Sequence, residues 1–187
     1  MSKEKAHCEL PCKMRSLVLC EGDLDEVIKH ATGRKVLIPV DGSDYSMAAF
    51  NFYLDNIHHS DDIVILTHTL ELPPKPSVPF PDVGKHYEEW RKVVEEHRCK
   101  SRSILGNFLE RLENQKGKEQ KSKSVAIHDE HSSPGEGIVA ISKDYHVTLI
   151  IIGSRGHGLI RRSFLGSVSD YVIHHSHVPI AVVPPST

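Results

Sequence analysis

The sequence lacks a long hydrophobic run. Its longest strand-like run, VTLIIIG at residues 147–153, is far shorter than the roughly 18 to 20 apolar residues that span a bilayer. The apolar stretch at residues 16–20 is too brief for the core of a signal peptide, and no small-residue cleavage site follows it. We therefore expect no membrane segment and no secretory leader, and predict a cytoplasmic protein.

An excess of charge is also missing. The chain has 23 Lys and Arg residues against 25 Asp and Glu residues, a net charge of -2 with histidine neutral. Such a balance gives no overall field that would attract nucleic acid or an anionic membrane. The basic stretch at residues 113–124 contains glutamates and no aromatic residues, which is typical of a solvated linker. We expect no nucleic-acid partner.

Cysteine is scarce, with 4 residues in 187. Three of them, Cys8, Cys12 and Cys20, lie near the N-terminus at irregular spacings, and no second CxxC pair exists. A zinc site with His7 is conceivable from composition alone, but this pattern favours reduced thiols in an N-terminal extension.

Histidine, by contrast, is abundant, with 14 residues. His174, His175 and His177 lie at a predicted helix C-terminus, where cationic groups are favoured by the helix dipole, so we expect them on the surface. The sequence HDEH at 128–131 follows a predicted strand, and neither group predicts a metal site. His157 lies within a glycine-rich loop, where it either contacts a phosphate or faces solvent.

What the chain does have is an alternation of short β-branched runs with helical patterns. This order predicts a single-domain α/β fold with an open, parallel, five-stranded sheet and helices on both faces. The expected domain spans residues 34–187, after an extension at 1–33, and a proline-rich loop at 73–81 follows the second strand. The predicted strands lie at residues 34–40, 62–70, 124–128, 146–153 and 178–183.

Helix-start signals follow several of these strands. Ser43 is expected to cap a helix with Asp44 in its first turn, and Ser133, Pro134 and Glu136 match a capping box. The predicted apolar face of the first helix consists of Tyr45, Ala48, Ala49 and Phe52. Further helices are expected at about residues 86–112 and from Gly166 onwards.

A glycine-rich segment, GSRGHG, follows the fourth strand. Gly153 and Gly156 can take positive φ and let the backbone approach a ligand, while Gly166 and Ser167 open a helix whose N-terminus favours an anion. Asp41, at the end of the first strand, is an acceptor suited to ribose hydroxyls. Arginines that add positive charge nearby are Arg155, Arg161 and Arg162. The alternative is that these glycines only form turns.

The segment matches neither of two common phosphate-binding motifs. GSRGHG has the wrong spacing for GxGxxG, and GxxxxGK[ST] does not occur. Its own pattern is Gly-x-x-Gly, nine residues, then Gly-Ser. Together with IPVDGS at the end of the first strand and ILTHT in the second, this pattern resembles the ATP-binding subgroup of the universal stress protein family, over residues 34–185.

The resemblance implies a strand order of 3-2-1-4-5 and ATP or AMP in a crevice between strands 1 and 4, with Mg²⁺ bound only through the phosphates. It also implies a homodimer formed through the last strand, Val178–Val183, and a regulatory, stress-response role. The implied nucleotide-binding residues are Pro39, Val40, Asp41, Thr69, Ile152, Gly153, Arg155, Gly156, Gly166, Ser167, Val168 and Ser169.

Catalysis is weakly supported by the sequence. Asp41 is the one carboxylate assigned to the crevice, Asp170 can face either way, and no nucleophile–base pair is evident. We therefore predict no catalytic residues and at most slow ATP hydrolysis. Two alternatives stay open: a nucleotide-free dimeric adaptor and an adenylyl-transferring enzyme.

Overall fold

The computed structural model describes residues 18–19, 28, 30–71, 74, 83–115, 123–131, 133–156 and 165–185. Its strands are β1 (Val18–Leu19), β2 (Lys35–Pro39), β3 (Ile63–Glu71), β4 (Lys123–His131), β5 (Leu149–Gly153) and β6 (Ile180–Val183). Its helices are α1 (Asp44–Asn56), α2 (Val83–Gln115), α3 (Pro134–Asp144) and α4 (Ser167–His175). None of these helices is both long enough and apolar enough to cross a membrane.

The strands form one parallel sheet in the order β1-β4-β3-β2-β5-β6. The parallel α/β class is confirmed, whereas the predicted count of five strands is wrong, because the described sheet has six. The additional strand, Val18–Leu19, pairs with Ala126 and Ile127 of β4. It was missed because two residues are too few to give a periodic pattern.

Helices cover both faces of the sheet. On one face, α1 and α2 pack through Phe50, Tyr53, Phe108 and neighbouring residues against β2 and β3. On the other face, α3 and α4 pack against alternate residues of the same strands. Strands buried on both faces cannot alternate apolar and polar residues, which explains the continuous apolar runs in the sequence.

The helix starts were predicted better than the helix faces. Ser43 caps α1, since its hydroxyl accepts from the Ser46 amide at 3.2 Å, and Asp44 lies in the first turn. Phe52, however, is exposed, and the buried aromatic residues of α1 are Phe50 and Tyr53. The predicted stripe was therefore rotated around the helix, because sequence spacing alone does not choose between two adjacent aromatic faces.

The start of α3 differs from its prediction in one respect. Pro134 is at the first helical position and Glu136 lies in the first turn, as expected. The Ser133 side chain, although its backbone is extended as a cap requires, makes no capping hydrogen bond. The capping-box prediction is thus wrong for the bond that defines it.

Two elements, β4 and α2, are longer than predicted, whereas β3 is only shifted by one residue. Strands β3 and β4 pair over nine residues each, so residues 128–131 belong to β4 and do not follow it. Helix α2 has 33 residues, about 50 Å at 1.5 Å per residue. The proline-rich loop at 73–81 lies outside the described residues except for Pro74, as does most of the extension at 1–33.

Strand β2 is central in this arrangement. It pairs with β3 on one side and β5 on the other. Because the strands are parallel, their carboxyl ends share one edge of the sheet. Asp41, which follows β2, and Gly153, which ends β5, therefore lie on the same edge, which the site prediction required.

Candidate functional site

A cavity of about 660 Å³ opens at the carboxyl edge of the sheet. Ligands of open α/β sheets bind at this edge, at the point where the strand order reverses. Every residue that the resemblance assigned to nucleotide binding lines this cavity. They are Pro39, Val40, Asp41, Thr69, Ile152, Gly153, Arg155, Gly156, Gly166, Ser167, Val168 and Ser169.

The carboxylate of Asp41 is held in one orientation. Its Oδ1 accepts two hydrogen bonds from Ser43, one from the backbone amide at 2.9 Å and one from the hydroxyl at 2.6 Å. The same hydroxyl accepts from the Ser46 amide and so ties Asp41 to the N-terminus of α1. The capped helix thus fixes a carboxylate at the mouth of the cavity, where it can accept from hydroxyl groups of a ligand.

The glycines of the site serve close packing. Among the described glycines, positive φ occurs at Gly33 and Gly42 but not at Gly153 or Gly156, so these two do not use the left-handed conformation that is open to them. A Cβ at Gly153 would lie 2.7 Å from the Tyr45 carbonyl oxygen, and one at Gly156 would lie 2.5 Å from Asp41 Oδ2. Their missing side chains let α1 approach β5 and let Asp41 approach the loop after β5.

The N-terminus of α4 faces the cavity. The amide of Gly166 donates to the Ser154 carbonyl at 2.8 Å, and the Ser169 hydroxyl lies 2.9 Å from the carbonyl oxygens of both Ser154 and Gly166. These bonds anchor the helix to the end of β5. The first helical backbone bond runs from the Asp170 amide to the Gly166 carbonyl. The amides of Ser167, Val168 and Ser169 precede it and so have no acceptor inside the helix.

This geometry divides the predicted roles. Ser167, Val168 and Ser169 can offer amides to an anion at the positive end of the helix dipole. Gly166 and the Ser169 hydroxyl instead hold the turn in place. Arg155 lines the same part of the cavity and supplies positive charge. Arg161, Arg162 and His157 lie outside the described residues.

Sequence reasoning did not assign several residues that line the cavity. His68 lies in β3, next to Thr67, and its Nδ1 donates to the Val40 carbonyl at 2.6 Å. His97 reaches the cavity from α2, and Asp170 reaches it from the first turn of α4. His68 lies within the quoted ILTHT stretch and had a sequence signal, whereas His97 had none, because its position at the cavity depends on how α2 packs against the sheet. The others are Ser46, Thr67, Pro134, Ile138 and Leu165.

The histidine group at the C-terminus of α4 lies on the surface. His174, His175 and His177 are exposed, as predicted, and His174 and His175 both donate through Nδ1 to backbone carbonyls one turn earlier. Within the described ranges no group of three or more potential metal-ligating side chains comes together. The N-terminal residues His7, Cys8, Cys12 and Cys20 lie outside those ranges.

A buried charge cluster lies at the opposite, amino edge of the sheet. Arg34 donates through Nε and an Nη to the two oxygens of Asp62, at 2.7 and 2.6 Å, and Tyr53 donates to the same carboxylate at 2.9 Å. Burial raises the pKa of Tyr53, and the bond to Asp62 adds to the rise. Burial opposes ionisation of Asp62, but bonds from Arg34, the His59 amide and Tyr53 outweigh it and lower its pKa. The cluster joins β2, α1 and β3, away from the cavity.

Comparisons with known proteins agree with this architecture. The model of the universal stress protein family matches residues 33–184. A universal stress protein of Methanocaldococcus jannaschii, MJ0531, is 27% identical over 164 residues, which cover 86% of this chain and 88% of that protein.

Two solved structures show the same fold. The structure of the protein MJ0577 has a TM-score of 0.64 at 24% identity and covers 82% of this chain and 97% of its own. A universal stress protein solved in complex with cAMP has a TM-score of 0.53 at 17% identity and covers 82% of this chain and 98% of its own.

Proposed function

Because this chain belongs to the universal stress protein family, we propose that it binds an adenine nucleotide, ATP or AMP, in the cavity at the carboxyl edge and acts as a regulatory, stress-response protein. The observation that carries the proposal is the convergence of an anion-binding helix N-terminus and an oriented acceptor on one cavity. A related fold solved with cAMP provides additional support. The proposed nucleotide-binding domain comprises residues 34–187.

We assign each part of the nucleotide to the lining residues whose chemistry fits it. The phosphates would lie at the amides of Ser167, Val168 and Ser169, with Arg155 nearby. The ribose hydroxyls would donate to Asp41, whose orientation is fixed by Ser43. Pro39, Val40 and Ile152 offer apolar surface to the base. When ATP is bound, Mg²⁺ would be held by the phosphates, and we assign it no protein ligand.

Thermal unfolding with and without millimolar ATP, AMP and Mg²⁺ tests this function. A ligand at a hundredfold excess over its dissociation constant stabilises the folded state by about 2.7 kcal/mol. For a chain of this size the midpoint should rise by about 5 to 10 °C. The matched variant is Gly166→Val, because a Cβ there would lie 3.2 Å from the Arg155 Cα. A ligand-dependent shift in the wild type and none in the variant would support the proposal. Absence of any shift in a folded wild type would favour the adaptor.

Hydrolysis is a separate part of the proposal. The carboxylates that line the cavity within the described residues are Asp41 and Asp170. Asp41 is oriented by Ser43, and Asp170 lies in the first turn of α4, 3.8 Å from His174. We therefore propose slow ATP hydrolysis at most, assisted by phosphate-bound Mg²⁺. Release of inorganic phosphate at a rate that Asp170→Asn abolishes would give that residue a catalytic role, and release of pyrophosphate would indicate adenylyl transfer.

We also propose a homodimer formed through β6, at the end of the sheet. The carbonyls of Pro179 and Val183 accept from β5, so Ile180 and Val182 direct their backbone groups outward, as alternate residues of a parallel strand do. Ile180 and Val182 are only half-buried. Val182→Pro removes an outward amide without removing a bond to β5. Sedimentation should find a wild-type dimer and a folded monomeric variant, and a monomeric wild type would contradict the interface.

A further inference from the structure

Thr69 carries a buried hydroxyl with no hydrogen-bond partner in the described part of the chain. We propose that this hydroxyl binds the polar edge of the nucleobase and makes the affinity of the cavity depend on the base. The inference rests on the proposed nucleotide function. It assigns a specificity-determining side chain to a position for which the family resemblance implied only a place among the nucleotide-binding residues.

An unpartnered buried hydroxyl is unusual, because a buried polar group without a hydrogen bond costs about 1 to 3 kcal/mol. Other buried hydroxyls in this protein follow the rule: those of Ser43, Ser46, Ser142 and Ser169 each donate to a carboxylate or a carbonyl. Thr69 lines the cavity, so a ligand there can restore the bond that the chain does not make.

The position of Thr69 along the sheet edge identifies the part of the ligand that it meets. The anion-binding helix N-terminus follows β5, Asp41 follows β2, and Thr69 lies in β3, on the far side of β2 from β5. Pro39 pairs with Thr67, so Asp41 and Thr69 lie two residues beyond the same rung of the ladder. Adjacent strands are about 4.8 Å apart. A nucleotide with its phosphates at α4 and its ribose at Asp41 therefore directs its base towards Thr69.

The surroundings favour a neutral polar group at this end. Ile63 and Ile65 belong to the core on the α3 and α4 face, and alternation along β3 puts Thr69 on that same face. Ile138 and Ile152 line the cavity from this core and present apolar surface. A phosphate would lose its hydration against such a wall, whereas the flat face of a purine fits it and its edge supplies ring nitrogens or an amino group for the hydroxyl.

Two substitutions at Thr69 separate the effect of its hydroxyl on ligand binding from the effect of its shape on the structure. Thr69→Val keeps the shape and removes the hydroxyl, and Thr69→Ser keeps the hydroxyl. We expect Thr69→Val to weaken ATP binding about three- to tenfold, the range of one hydrogen bond, and Thr69→Ser to stay close to wild type. Affinity for inorganic tripolyphosphate, which has no base, should be the same in all three proteins. Calorimetric titration of each protein with both ligands measures this.

Stability without ligand gives an independent readout. Thr69→Val removes an unsatisfied buried group, so its unfolding midpoint should rise by about 2 to 6 °C although it binds ATP less tightly. The matched control is Thr148→Val at the amino edge, where the hydroxyl donates to the Lys35 carbonyl at 2.9 Å and accepts from its amide at 3.1 Å. That variant should lose stability and keep the wild-type affinity for ATP.

The outcomes distinguish failure of the inference about Thr69 from failure of the proposed nucleotide binding on which it rests. If the wild type binds ATP and Thr69→Val binds it equally well, the hydroxyl does not contact the base and the inference is overturned while nucleotide binding stands. Equal losses for ATP and tripolyphosphate, or a lowered midpoint in Thr69→Val, would make Thr69 structural and also overturn it. A wild type that binds neither ligand would overturn both the inference and the proposed function.

Discussion

Gly156 lies against the carboxylate of Asp41: a Cβ at position 156 would come within 2.5 Å of Oδ2. The other carboxylate oxygen of Asp41 is held by both the amide and the hydroxyl of Ser43. An added methyl group can therefore be accommodated only by rotating the carboxylate away from Ser43. The glycine loop after β5 and the acceptor after β2 thus form a single unit.

The first prediction concerns this contact. Gly156→Ala should weaken ATP binding at least tenfold, because Asp41 loses its orientation. The unfolding free energy should fall by no more than about 1 kcal/mol, since the displaced atom belongs to a side chain and φ at Gly156 is not positive. Titration with ATP and thermal unfolding measure the two effects. Gly84→Ala is the control, because nothing lies within 4 Å of a Cβ there. Unchanged affinity in Gly156→Ala would show that Asp41 does not bind the nucleotide.

The second prediction is that an alanine at Gly153, unlike one at Gly156, mainly lowers the stability of the protein. Its added Cβ would meet the backbone of Tyr45, with the carbonyl oxygen at 2.7 Å and the carbon at 2.8 Å, and a helix backbone cannot rotate aside. Gly153→Ala should therefore force α1 away from β5 and destabilise the protein by about 1 to 3 kcal/mol, the usual cost of overpacking. Denaturant unfolding measures this loss. A variant as stable as Gly84→Ala would mean that α1 is not held closely against β5.

The sequence predicted those parts of the fold that a local apolar pattern marks, but not those that depend on tertiary pairing or packing. Continuous apolar runs predicted β2, β3 and β5 because a strand covered on both faces is apolar throughout. The apolar stretch at residues 16–20 is too short to predict a strand by itself, and Val18–Leu19 acquire a strand conformation only through pairing with Ala126 and Ile127. The exposed Phe52 shows the same limit, because tertiary packing chose Phe50 and Tyr53 for the core.

The site was predictable as far as its residues lie in short motifs. The spacing from Gly153 to Ser167 identified the cavity wall because both glycines and the helix start follow one strand. The reason for the glycines was not accessible, since it depends on Tyr45 and Asp41, more than 100 residues earlier in the chain. His97 lies well inside the predicted helix at residues 86–112, but its position at the cavity depends on tertiary packing, and no local pattern relates it to β3.

The third prediction concerns Asp62, which is buried and has a lowered pKa in the folded protein. A carboxyl with a lowered folded pKa stabilises the fold above its unfolded pKa, about 3.9, and this stabilisation is lost as the pH falls towards the folded pKa. Wild-type unfolding free energy should therefore drop below about pH 4. Asp62→Asn should be less stable by about 3 kcal/mol at pH 7, with a weaker dependence on acid.

The neighbouring Asp61 provides the control for Asp62, because it is exposed. Asp61→Asn should leave both the stability at pH 7 and the acid transition within about 0.5 kcal/mol of the wild type. Denaturant unfolding at several pH values between 3 and 7 compares the three proteins. Parallel acid transitions in the wild type and Asp62→Asn would show that other carboxyl groups cause the acid sensitivity.

The last prediction separates the contribution of the Tyr53 hydroxyl to stability from that of its ring. Tyr53→Phe keeps the buried ring but removes the hydroxyl that donates to Asp62 Oδ2 at 2.9 Å. A hydrogen bond to a charged group contributes about 1.5 to 3 kcal/mol, so the variant should lose roughly that much at pH 7. The same bond lowers the pKa of Asp62, so its loss should raise that pKa towards the unfolded value and make the unfolding free energy depend less on pH below about pH 4. Tyr87→Phe, on the exposed part of α2, should change neither quantity. A Tyr53→Phe protein with reduced stability but the wild-type dependence on acid would mean that Arg34 and the His59 amide alone set the ionisation of Asp62.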